Sequence, residues 1–86
     1  MNYIIAVFRS RNETLYLANM LTVLGKRVSV INTPKEIGQA CGISVRFEEK
    51  ILPDAKRCLQ TKPFRAFVGF YRITQIQNNF RFDRVS

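Results

Sequence analysis

An 86-residue chain has room for one domain with a thin core, because a chain this short buries only roughly 60–65% of the surface its unfolded form exposes. Hydrophobic residues make up 47% and charged residues 23%, a globular balance, and no apolar run approaches the ~18 residues of a membrane span. Fourteen Lys and Arg against six Asp and Glu leave a net charge of +8, which favours polyanions, acidic proteins or anionic surfaces; the absence of His removes the commonest general base, zinc ligand and pH switch.

The opening Asn2-Tyr3-Ile4-Ile5-Ala6-Val7-Phe8 is too short for a secretory signal and has no basic residue ahead of it, so a cytoplasmic location is expected. Residues 3–8 are continuously apolar and rich in β-branched and aromatic side chains, the pattern of a central strand buried on both faces. Ser10-Arg11-Asn12-Glu13 is a capping box that opens a helix. Leu17, Ala18, Leu21 and Leu24 form its expected inner stripe, and Gly25 closes it. Val28 to Ile31 reads as the second strand.

Thr33-Pro34-Lys35-Glu36 repeats the helix-start signal, with Thr33 as N-cap, Pro34 at the first helical position and Glu36 three residues after the cap. A short helix is therefore expected here, weakened by Gly38 and stopped by Gly42, with Cys41 at its tail. Ile43 to Glu48 alternates apolar and polar, as a strand with one buried face does. Pro53 opens a second long helix with Leu52, Ala55, Cys58 and Leu59 inward and Lys56 and Arg57 outward. Pro63 ends it, and Phe64 to Ile73 reads as the last core strand.

The order strand, helix, strand, strand, helix, strand predicts an α+β domain over residues 1–73. Its expected form is the ferredoxin-like βαββαβ arrangement, a four-stranded antiparallel sheet with both helices on one face, plus the short helix before Cys41. Residues 74–86 form a C-terminal extension, either a hairpin strand around Asn78-Asn79 or a flexible basic tail.

Cys41 and Cys58 are the only cysteines; they are not in a C-x-x-C pattern, so neither a metal site nor a redox pair is expected, and no cofactor is called for. Cys58 falls on a core stripe and reads as structural. For Cys41 two readings stand side by side: a working thiol on a loop held by a rigid scaffold, and a small side chain buried in a turn. A thiol reacts as thiolate, which the nearby cations Lys35 and Arg46 favour and the tail of a short helix opposes. Gly42 leaves the backbone open to an approaching partner or anion.

The runs Tyr3-Ile4-Ile5-Ala6-Val7-Phe8, Thr33-Pro34-Lys35-Glu36-Ile37, Cys41-Gly42-Ile43-Ser44-Val45-Arg46-Phe47 and Gly69-Phe70-Tyr71-Arg72 together resemble a small bacterial family labelled selenium/sulfur carrier-like. The resemblance covers about the first 73 residues. It implies that Cys41 is the working thiol of a relay protein, carrying sulfur or selenium as a persulfide or selenosulfide between protein donor and acceptor, such as a cysteine desulfurase. Established small sulfur carriers place a Cys-Pro-x-Pro motif at a helix start, and this chain has none.

The competing class is a basic nucleic-acid-binding or protein-interaction module with a structural Cys41. Arg65-Ala66-Phe67-Val68-Gly69-Phe70 is similar to the signature run of RNA-recognition sheets, but it falls on the fourth core strand instead of the third. The third strand offers only Phe47, expected to face the core, which leaves weak electrostatic binding to nucleic acid. A homodimer through the helix-free, open face of the sheet would suit a thin-cored chain.

Overall fold

The computed structural model describes residues 2–38 and 41–85. Its first strand, β1 (Asn2–Phe8), is buried as its composition predicts: Ile4, Ile5, Ala6, Val7 and Phe8 expose no surface. Both its edges are paired because β1 is the middle of a five-stranded sheet. Its neighbours are β3 (Ile43–Phe47) and β4 (Phe67–Ile76), with β2 (Val28–Asn32) beyond β3 and β5 (Asn79–Arg84) beyond β4, every pair antiparallel.

Two helices lie against one face. α1 (Arg11–Val23) starts where Ser10 accepts a hydrogen bond from the Glu13 N–H at 3.2 Å. α2 (Leu52–Leu59) follows a single 3-10 turn, Glu49–Ile51, with Pro53 in its first turn. Ile4, Ala6 and Phe8 meet Leu17, Ala18 and Leu21 of α1 and Ala55 and Cys58 of α2 in one core. Phe8, Phe67 and Phe70 stack edge-on through it, with centroids 5.2 and 4.9 Å apart. Among the described residues no helix is long and apolar enough to cross a membrane.

The α+β class holds, with differences in detail. The sheet has five strands where four were expected. β4 runs three residues past Ile73 and turns through Gln77 and Asn78, Gln77 taking a φ of 55°, the left-handed value a two-residue hairpin needs. β5 then pairs from Ile76↔Asn79 to Tyr71↔Arg84. β4 starts at Phe67, not Phe64, because the N–H groups of Arg65 and Ala66 donate to the Glu13 carboxylate at 3.0 and 2.9 Å instead of joining a ladder. The same contact diverts Glu13 from the reciprocal half of the capping box. Leu24 leaves the expected inner stripe: it caps α1 and is 57% exposed.

The short helix before Cys41 reduces, over residues 33–38, to one turn in which Ile37 donates to the Pro34 carbonyl at 3.1 Å. Its expected continuation through residues 39 and 40 lies outside the described residues. Thr33 does not cap it, because its hydroxyl is held by Ser44 at 2.5 Å. Nor is the helix-free face of the sheet open. Ile5, Val7 and Ile73 are fully buried there, and Ile37 from the loop packs against them with Tyr3, Tyr71 and Phe82.

Candidate functional site

Cys41 stands where three elements meet. Its N–H donates to the Phe8 carbonyl at 3.1 Å, prolonging the β1–β3 pairing past its last registered pair, Val7↔Ser44. The β1–β4 register shifts between Val7 and Phe8, a bulge of the kind found where a strand is bent beside a site. The Cys41 Sγ is 3.4 Å from the Ile43 carbonyl oxygen and 3.5 Å from the Thr14 Oγ1. Thr14 donates its own proton to the Ser10 carbonyl at 3.0 Å, so its lone pairs are what it offers the sulfur. The side chain is half-buried. The sulfur's contact on α1, Thr14, lies in the opening turn of that 13-residue helix, the positive end of its dipole.

The loop before Cys41 is closed at its neck. Thr33 donates its N–H to the Gly42 carbonyl at 2.9 Å, and its hydroxyl meets the fully buried Ser44. Gly42 has a φ of 101°, and a Cβ there would meet nothing within 4 Å. The residue is therefore fixed by backbone conformation, and the space beside it is open. Lys35 and Gly42 come together with Thr33, Pro34 and Gly38 around a hollow of about 110 Å³.

Residues 2–68 match the family described as putative Se/S carrier protein-like. The chain belongs to that family. The match to the Se/S carrier-like family runs from β1 into the start of β4 and takes in Thr14, the loop, Cys41 and Cys58. No curated protein and no solved structure matches the chain.

Arg46 is not brought to Cys41. It pairs with Ile5, so it points to the helix-free face, where its guanidinium lies 4.1 Å from the centre of the Tyr3 ring. The Cys41 sulfur touches the helix layer instead. Cys58 is 4% exposed, inside the core between α2 and the sheet. Burial pushes its thiol up, Asp54 adds to the rise, and Arg57 opposes both. Phe47 faces the helices at 3% exposure, so the helix-free face of β3 carries Ser44 and Arg46 and no aromatic ring for a base to stack on. Among the described residues no group of three or more Cys, Asp or Glu is placed to hold a metal ion.

Sequence reasoning missed Thr14 and Ser44. Thr14 has a signal: it sits one turn before Leu17 and Ala18 on the inner stripe, a polar residue where an apolar one is expected. Ser44 gives none, since alternation places it simply on the polar face of its strand.

Proposed function

We propose that the protein is a sulfur or selenium carrier whose cargo is borne by Cys41. The observation that carries this reading is the contrast between the two thiols. Cys58 is 4% exposed on the core side of α2, while Cys41 is half-buried at a closed loop neck, its sulfur contacting one carbonyl and one hydroxyl. Family membership supports it at the level of a carrier. A passive carrier needs a thiol that a partner can reach and a backbone that holds it in place, which the Phe8 and Gly42 hydrogen bonds supply.

The transfer balances without an outside oxidant. The Cys41 thiolate attacks the terminal sulfur of a donor persulfide; the donor's S–S bond breaks and its cysteine leaves as thiolate. A Cys41 persulfide forms, and the reverse attack by an acceptor thiolate unloads it. A selenosulfide follows by the same exchange with selenium as the terminal atom. Lys35 shares a hollow with Gly42, and its charge would favour an acidic donor or acceptor there. Arg46 has no part in this reading, because its side chain lies against Tyr3 at the other face.

The test is intact-mass measurement without reductant after incubation with a cysteine desulfurase and cysteine. Wild type and Cys58→Ser should each gain one reductant-labile sulfur, and Cys41→Ser should gain none. Equal loading of Cys41→Ser ends the proposal.

A further inference from the structure

α1 carries two apolar stripes. Leu17, Ala18 and Leu21 face the core. Tyr16, Met20, Val23 and Leu24, at i, i+4, i+7 and i+8, form a second stripe with the spacing of a helix face made to be covered. This chain covers it only in part: Met20 reaches the core and Tyr16 meets Phe64 edge-on, while Val23 is 77% exposed, Leu24 57% and Tyr16 46%. Together with Cys58 and Thr61 it walls a groove of about 570 Å³ between α1 and α2.

The rim of this groove is basic. Lys62 Nζ stands 3.8 Å from the centre of the Tyr16 ring at one end. Arg57 lines the groove, and so does Asp54, the acidic group there, which is ion-paired to Arg57 and, at 3.7 Å, to Lys26 just outside it. An apolar floor with a net positive rim selects an occupant that is apolar along one stripe and acidic on either side of it.

We propose that the α1–α2 groove docks an acidic amphipathic helix of a partner protein. A second copy of this chain fits poorly, because an isologous contact would set the Lys26, Arg57 and Lys62 rim against itself. The inference does not depend on the reading of Cys41: it uses residues at the outer side of the helix layer, and none of them contacts the Cys41 sulfur.

The experiment titrates the full chain, amide by amide in solution, with a synthetic helical peptide bearing Leu at i, i+3, i+4 and i+7 and Glu at the flanking positions. Shifts should concentrate on residues 16–24 and 57–61. Leu24→Glu, a change at an exposed position, should weaken binding about tenfold or more while leaving shifts elsewhere unchanged. A peptide with Lys in place of Glu should lose a similar factor. Shifts centred on the sheet face, or equal binding of the Glu and Lys peptides, would overturn the proposal. So would a dimer in sedimentation, or binding to phosphatidylglycerol vesicles, that Leu24→Glu abolishes.

Discussion

Replacing Thr33 by Val should destabilise the protein far more than its half-exposed position suggests, and a second substitution should rescue most of the loss. Thr33 Oγ1 and Ser44 Oγ are 2.5 Å apart, and Ser44 has no exposed surface. Thr33→Val leaves the Ser44 hydroxyl buried without its partner, which costs about 1–3 kcal/mol. A domain of this length has a total stability of roughly 4–13 kcal/mol, and each kcal/mol lost lowers its Tm by about 4–8 °C. Ser44→Ala alone should cost less, ~0.5–1.5 kcal/mol, because the half-buried Thr33 hydroxyl can turn to water. The double variant Thr33→Val/Ser44→Ala removes both polar groups and should be more stable than Thr33→Val alone. Urea midpoints at constant m measure all four states of this cycle. The same loosened neck should raise the native alkylation rate of Cys41. A double variant as unstable as the sum of the two singles would refute the reasoning, since it would mean the two hydroxyls are not each other's partner.

Native iodoacetamide labelling with peptide mapping should modify Cys41 and leave Cys58 untouched until the chain unfolds, because Cys58 is buried and its thiol pushed up; preferential labelling of Cys58 would contradict both placements. Cys41→Ser should cost less than about 2 kcal/mol, because its sulfur's contacts to Thr14 and Ile43 are long, whereas Leu21→Ala in the fully buried stripe should cost about 2–5 kcal/mol; urea midpoints separate them. The Arg72 guanidinium donates to Glu49 at 2.9 Å and holds that carboxyl below its ordinary value of 4.5. A depressed carboxyl adds stability above its ordinary range and loses it as pH falls through the lowered value. The gap in urea midpoint between wild type and Arg72→Leu should therefore be present at neutral pH, be small because the pair is exposed, and close on acidification; a gap that widens in acid would overturn this pairing.

Local composition was enough for the elements whose signal lies in one stretch. The unbroken run Ile4–Phe8 determined a central strand, since only a strand with neighbours on both edges and layers on both faces buries every residue in turn. Ser10 determined where α1 begins, and the Leu17-Ala18-Leu21 stripe which way it faces. The burial of Cys58 was legible too, because it falls on the core stripe of α2. Tertiary structure decided what needed two distant segments at once. Thr33 looked like a helix cap, but Ser44 across the β2–β3 pair took its hydroxyl. Phe64 looked like the start of a strand, but Glu13, far back in the chain, took the N–H groups that would have extended the ladder. Lys35 and Arg46 looked equivalent as cations near Cys41 in sequence, yet a strand sends alternate side chains to opposite faces, and the register Ile5↔Arg46 put that charge on the side away from the sulfur. Thr14 became the sulfur's neighbour only because β1 ends against the head of α1, a meeting of residues 14 and 41 that no local pattern encodes.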